Sequence, residues 1–312
     1  MIYRKLGKAG VKVSVVGIGT NRFGSDKTSQ SEVNRIIDHA LELGINHLDT
    51  ANVYQNGNSE IVLGNALKGK WDRFFLASKF YFSTGDGVND RGASRYHIYN
   101  AVEASLKRLK SDHIDLYYIH RWDAETPIDE TLQTLDTLLQ QGKVRYIGAS
   151  DFAAWQLAKS NGLAELNGWN AFVAVQSHYH MFERDLEKEG VPYCQSENMA
   201  IIPYFPLAGG FLTGKYQLGK PAPAGSRGES SEYVQKYMTE QNYKKLDQLT
   251  KFSHEHGRQM NELAIAWLLA QPQVTSVISG ATTLEHVTQN AAASDWVLSQ
   301  SDLDEINQIL DE

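Results

Sequence analysis

Apolar residues recur along the chain in short unbroken runs, at 15–19, 45–48, 74–78, 114–119, 144–149, 172–175, 199–203 and 274–278. Runs apolar on consecutive residues suit strands buried on both faces, as in a parallel sheet. The stretches between them follow a helical period instead. Val33, Ile36, Ile37, Ala40 and Leu41 fall at i, i+3, i+4, i+7 and i+8, and Gly44 ends that helix. Ile98, Ala101, Val102, Leu106 and Leu109 make a second apolar stripe, and Ile128, Leu132, Leu135, Leu138 and Leu139 a third. Eight strand–helix units over this length predict an α/β fold, a (β/α)8 TIM barrel forming one domain over residues 1–312. Residues 1–14, with Lys8-Ala9-Gly10 between two short alternating segments, predict an N-terminal β-hairpin. Residues 209–240 are rich in Gly, Pro and Ser and predict a long loop after the seventh strand. Long loops in compact domains are usually functional or mobile.

Composition narrows the class. The chain is 42% hydrophobic and 21% charged, ordinary for a water-soluble globular protein. A net charge of −7 argues against a nucleic-acid or anionic-membrane surface. A single cysteine, Cys194, excludes an intrachain disulfide framework and reads as a small packing residue. No run approaches the ~18 apolar residues of a membrane helix. The opening Met-Ile-Tyr-Arg-Lys has no apolar stretch of signal-peptide type. The expected location is the cytoplasm; nothing in the sequence speaks to oligomeric state.

The polar residues that close the apolar runs carry the chemistry. The second run ends at Asp49, the third at Lys79 and the fourth at His120, with Tyr54 five residues after the acid. The fifth closes on Ser150-Asp151, the sixth on Gln176, the seventh on Tyr204 and the eighth on Ser279-Gly280. In a barrel these C-terminal strand ends share the face where active sites lie. Alone, Asp49 and Tyr54 read as a turn acid and a loop aromatic. An Asp, a Lys and a His on three consecutive strands, facing a tyrosine, read as a reaction centre.

That set suits a carbonyl. Tyr54 can give a proton, but an unperturbed phenol of pKa about 10 is a weak acid at neutral pH. A neighbouring Lys79 ammonium is expected to lower that pKa, with Asp49 keeping the lysine charged and His120 hydrogen-bonding the substrate oxygen. None of these groups supplies electrons, so a redox cofactor is needed, and a nicotinamide fits. Gly17-Ile18-Gly19 lacks the third glycine of a dinucleotide fingerprint. His254 and His256 point to different faces of a helix, and His178 and His180, though on one face if extended, lack a third ligand, so no metal is expected.

The motifs together resemble the aldo-keto reductase superfamily. Asn46-His-Leu-Asp-Thr-Ala-Asn-Val-Tyr54 is similar to its segment carrying the catalytic Asp and Tyr, Leu76-Ala-Ser-Lys79 to the strand carrying the Lys, and Ile114-Asp-Leu-Tyr-Tyr-Ile-His120 to that carrying the His. Gly142–Ser150 and Tyr204–Tyr216 also match, and the wording Arg91-Gly-Ala-Ser-Arg95 and His120-Arg-Trp-Asp123 resembles the longer-loop branch near the potassium-channel beta subunits and bacterial NADP(H)-dependent members. The resemblance implies that Tyr54 is the general acid, Asp49 and Lys79 tune it, and His120 orients the carbonyl. It implies Ser150, Asp151 and Gln176 around the nicotinamide carboxamide and Tyr204 stacked on its ring. Position 151 departs from the family's usual Asn; an ionised carboxylate accepts but cannot donate. Lys215 and Arg227, in or beside the long loop after the seventh strand, are candidates to supply charge from across the cleft, with Leu207 a further cofactor-binding candidate, and the resemblance puts Gly280, Thr282, His286 and Asn290 around the adenosine end. Thr282 stands at capping-box spacing from Glu285, at a helix N-terminus suited to phosphate.

NADP(H) is favoured over NAD(H) on this resemblance, although residues 280–290 contain no Lys or Arg to meet a 2′-phosphate. Phe23, Phe80, Phe82 and Trp122 are nominated as pocket walls, and Arg22, Arg95 and Arg121 leave an anionic or sugar-like substrate open. The expected function is reversible reduction of an aldehyde or ketone. The alternatives are a cofactor-sensing regulatory subunit and a sugar or alcohol dehydrogenase running the same site backwards.

Overall fold

The computed structural model describes residues 1–26 and 28–312. Strands β1 (Tyr3–Lys5) and β2 (Lys12–Ser14) pair antiparallel as the expected hairpin. The next eight are β3 (Val16–Gly19), β4 (His47–Asp49), β5 (Phe75–Phe80), β6 (Ile114–Ile119), β7 (Val144–Ser150), β8 (Ala174–His178), β9 (Ala200–Tyr204) and β10 (Val277–Gly280). They pair parallel in sequence order, and β10 closes on β3 to complete the barrel. Among the described residues no helix is long and apolar enough to cross a membrane.

Strand periodicity divides the apolar side chains between two cores. Leu76, Tyr117, Ile119, Ile147, Val175 and Ile201 face the surrounding helices, where they meet Ile36, Ile98, Leu132 and Leu135. Phe75, Ala77, Leu116, Tyr118, Ala200 and Ile202 face inward and fill the barrel. Leu6 and Val13 of the hairpin belong to this inner cluster, so the hairpin closes the barrel at the end where the strands begin. Gly148 is needed for that packing. A Cβ there would stand 2.5 Å from the Tyr118 ring.

The helices follow the predicted stripes. α1 (Gln30–Glu42) starts at Ser29 in a capping box with Glu32. α2 (Asn58–Ala66) follows β4, α3 (Arg95–Leu109) follows β5, and α4 (Ile128–Gln140), α5 (Ala154–Asn167) and α6 (Leu186–Ser196) follow the next three strands. Several strand bounds shift by one to three residues from the apolar runs, and two differences matter most. The last strand covers 277–280 rather than 274–278, because Val274 reaches β9 only through a single bridge to Ile201. The segment 209–240 is not plain loop: it holds α7 (Arg227–Ser230) and α8 (Glu232–Gln235), each one turn long, before α9 (Glu240–Glu255). α10 (Met260–Ala270), α11 (Leu284–Ala292) and α12 (Gln300–Asp311) complete the chain.

Candidate active site

The inward-facing parity runs on to the strand ends. On β4, His47 is followed by Asp49; on β5, Ala77 by Lys79; on β6, Tyr118 by His120; on β7, Gly148 by Ser150; on β8, Ala174 by Gln176; on β9, Ile202 by Tyr204. The barrel thus gathers the sequence candidates over its C-terminal mouth without special loops. Tyr54 is the exception. It arrives on the β4–α2 loop, which turns sharply through Gln55, Asn56 and Gly57, all at positive φ. Gly57, at φ +85°, also lies where a Cβ would meet Arg108 at 3.1 Å, so the turn and the fit against α3 both select glycine.

Lys79 is the hub. Its fully buried Nζ donates to Asp49 Oδ1 at 2.6 Å, to the Thr50 carbonyl at 2.9 Å and to the Tyr54 hydroxyl at 3.4 Å. Those three bonds use every donor of an ammonium. An ammonium can only donate, so the Tyr54 oxygen accepts from it and keeps its own proton free for the cleft. Gln176 donates to the other oxygen of Asp49 at 2.8 Å, so both carboxylate oxygens are held. The His120 ring stands edge-on to Tyr54, centroids 6.0 Å apart, with its Nδ1 buried and unpartnered.

Burial sets the protonation states. Desolvation alone would lower the Lys79 pKa, but Asp49 and Tyr54 outweigh it and leave the pKa raised, so the lysine is charged. Desolvation, opposed by Lys79, raises the Tyr54 pKa. This corrects the sequence expectation of a lowered value: the ammonium is present, but removing the phenol from water counts for more. Tyr54 is therefore held as a protonated donor. His120 is pushed down to about 2 by burial and then by Lys79 and Arg121, so it is a neutral imidazole with one N–H.

The same burial has a consequence for stability. Besides His120, His47 inside the barrel is pushed down to about 4, first by desolvation. Both rings are depressed below the ordinary histidine value of 6.5, so below that pH the unfolded chain binds protons that the folded chain does not. The contribution of these rings is full above pH 6.5 and is lost progressively as pH falls, toward about 4 for His47 and toward about 2 for His120. A thermal melt series should show Tm declining across that window, and replacing His47 with Gln should flatten the decline.

The remaining candidates divide. Tyr204 is partly exposed at the end of β9, and its hydroxyl donates to Asp151 at 2.9 and 3.1 Å. Arg121 also reaches Asp151, at 3.1 Å, so that carboxylate is occupied by protein groups. Arg227 lies over the Phe205 ring at 5.7 Å and Lys215 over Tyr216 at 5.3 Å. Leu207 packs partly buried against the core beside them. At the far end Gly280 and His286 are exposed and Asn290 is buried. The helix cap there is Thr283, which accepts from the His286 N–H; Thr282, the residue expected in that role, instead has its hydroxyl 3.4 Å from His286 Nδ1.

Two pocket residues are corrected. Phe23 and Phe80 have no exposed surface and sit in the core between barrel and helices, Phe80 against Tyr117 at 4.9 Å. Phe80 follows the inward-facing Lys79, so it must point the other way. Phe82 does stand at the mouth, 38% exposed and edge-on to His120 at 4.8 Å, with Arg121 over its ring. Trp122 packs on Phe152 and on Trp155, an exposed aromatic absent from the sequence candidates. Arg95 lies away from this group, bonded to Gln133 of α4. His178 and His180 do share a site, Nε2 to Nε2 at 3.2 Å, but their partners are Tyr233 and Glu183, and the described residues contain no cluster of three metal-ligating side chains. Cys194 is a packing residue of α6, buried and pushed up to about 12 by desolvation.

Comparison with known proteins agrees with the geometry. The aldo/keto reductase family matches residues 15–311. The chain belongs to that family. Like others in it, the chain is an oxidoreductase. Among its relatives, an uncharacterized oxidoreductase of Bacillus subtilis is 35% identical, with 99% of this chain and 96% of the relative covered. A probable voltage-gated potassium channel subunit beta of Arabidopsis thaliana is 34% identical over 99% of this chain and 97% of its own. Versiconal hemiacetal acetate reductase of Aspergillus parasiticus is 32% identical over 94% and 92%. Membership agrees with the closed barrel, and the resemblance read from five short motifs extends over nearly the whole chain.

Proposed function

We propose that this member of the aldo/keto reductase family reduces an aldehyde or ketone to an alcohol, with Tyr54 giving the proton and NADPH preferred to NADH. The observation that carries the reading is the Lys79 Nζ bonded at once to Asp49 and to the Tyr54 oxygen, beside a histidine kept neutral. A carbonyl oxygen seated between the Tyr54 hydroxyl and the His120 N–H would meet two donors and no competing acceptor. As negative charge develops on that oxygen, the Tyr54 proton moves to it, and the adjacent ammonium stabilises the phenolate left behind.

The residues present fit a nicotinamide dinucleotide. Gln176 gives one amide N–H to Asp49, its carbonyl oxygen is left to accept from a carboxamide, and Ser150 beside it can donate. Tyr204 offers a partly exposed ring as a platform. Among the described residues Lys215 and Arg227 pack on aromatic rings rather than on carboxylates, which leaves both cations for phosphate. The bound cofactor would supply the hydride that no side chain can. Leu207 with Gly280, Thr282, His286 and Asn290 would line the remainder of the cleft.

Fluorescence titration tests both parts. NADPH is expected to bind more tightly than NADH, and Arg227→Ala should shrink that difference about tenfold, the worth of a charge-assisted hydrogen bond. Equal affinities in the unmodified protein would remove the preference for NADPH. The Arabidopsis relative supports a second reading, a cofactor-sensing subunit. It predicts tight cofactor binding with negligible turnover over a broad panel of carbonyls. A dehydrogenase running the same site backwards would show the larger kcat/KM in the oxidation direction.

A further inference from the structure

Asp151 stands where a cofactor ligand is expected, yet its two oxygens are engaged elsewhere. Both lie within hydrogen-bond distance of the Tyr204 hydroxyl, and Oδ2 also accepts from Arg121. The three residues come from three strand ends: Arg121 after β6, Asp151 after β7 and Tyr204 closing β9. Asp151 adopts φ +52°, a left-handed conformation that Asp and Asn tolerate better than other L residues, and this turn aims the carboxylate across the barrel mouth. His178 lies flat beside Tyr204, ring centroids 5.4 Å apart and planes 14° apart, and is itself bonded to Tyr233 of α8. The Tyr204 hydroxyl is thus held by Asp151 and its ring is stacked, offset, by His178.

We propose that Asp151 is a positioning residue acting through Tyr204 and Arg121 rather than on the cofactor. It locks the phenol ring on which a nicotinamide would lie, and it cancels the charge of the arginine nearest the carbonyl site, so that the site favours uncharged carbonyl compounds. Arg121 lies over Phe82 at 5.9 Å and directly follows His120, so its charge borders the space a substrate must enter. An ionised carboxylate cannot donate, which suits a partner for a phenol and a guanidinium better than a partner for a carboxamide oxygen. Burial and Asp151 together raise the Tyr204 pKa, which keeps the phenol protonated as the donor in this link. The inference rests on the cofactor reading above and adds a division of labour within it.

The test is a double-mutant cycle on cofactor affinity with a substrate-charge readout. Asp151→Gly removes the carboxylate while tolerating the left-handed backbone, and Tyr204→Phe keeps the ring and removes its hydroxyl. Each should weaken NADPH binding about fivefold to tenfold, and the double variant should be no weaker than either alone, because both delete one link. Asp151→Asn retains an acceptor for Tyr204 and should stay within about threefold of the unmodified protein. The same Asn variant leaves Arg121 uncompensated, so its kcat/KM for 4-carboxybenzaldehyde relative to the neutral methyl ester should rise about fivefold, a modest effect because the guanidinium is half exposed. Losses that multiply in the double variant, or a charge preference unmoved in Asp151→Asn, would overturn the proposal. Failure of the unmodified protein to bind either nucleotide would instead sink the cofactor reading, and this inference with it.

Discussion

Replacing Tyr54 with phenylalanine is expected to lower kcat for carbonyl reduction by about 10²- to 10⁴-fold, the usual worth of a positioned general acid. The ring is retained, so the edge contact with His120 survives, and cofactor affinity should change little. The Lys79 ammonium keeps its bonds to Asp49 and Thr50, so the fold loses one weak contact of 3.4 Å. A steady-state assay on an uncharged aldehyde, paired with cofactor titration, separates the two effects. Full turnover in Tyr54→Phe would mean that the proton comes from another group or from water.

Lys79→Met has the second large effect, and it reaches the fold as well as the reaction. Asp49 is 3% exposed, and without Lys79 its carboxylate would keep only the Gln176 amide as a close donor among these side chains. Removing one partner of a buried ion pair typically costs about 3–5 kcal/mol, because the remaining charge stays desolvated. In a domain of this size that corresponds to a Tm lower by roughly 5–8 °C. Turnover should fall at least about a hundredfold, since the phenolate formed on proton transfer loses its nearest cation. Asp49→Asn with Lys79→Met removes both charges and should recover much of the stability but none of the turnover. That split between melt and assay distinguishes a charge effect on the reaction from simple unfolding.

Much of this is legible in the residues alone. Consecutive apolar residues mark the buried strands, and the polar residue closing each strand marks the mouth of the barrel, because both follow from local pattern. The burial of Phe80 is legible as well. It follows Lys79, and a period of two sends neighbours to opposite faces, so its place against Tyr117 is available from spacing alone. Other features depend on contacts between distant segments. The rise in the Tyr54 pKa comes from how far the folded cleft withdraws the phenol from water, which no neighbour in sequence reports. The engagement of Asp151 by Arg121 and Tyr204 joins residues 30 and 53 positions away. The short helices α7 and α8 are only four residues each, less than an apolar stripe needs to show itself. The bounds of the last strand escape the apolar pattern because Ser276, just before it, and Ser279, within it, are polar yet lie buried.

The identity of the proton donor is read most directly from the pH dependence of kcat/KM for reduction, measured from about pH 5 to about pH 10 with an uncharged aldehyde. With Tyr54 raised above its ordinary value and His120 pushed down to about 2, neither group titrates near neutrality. The profile should therefore stay flat over that whole range and fall only above about pH 10, where the phenol begins to lose its proton. An inflection near about pH 6.5, the ordinary histidine value, that persists in Tyr54→Phe would assign the proton to a histidine and contradict Tyr54 as the donor.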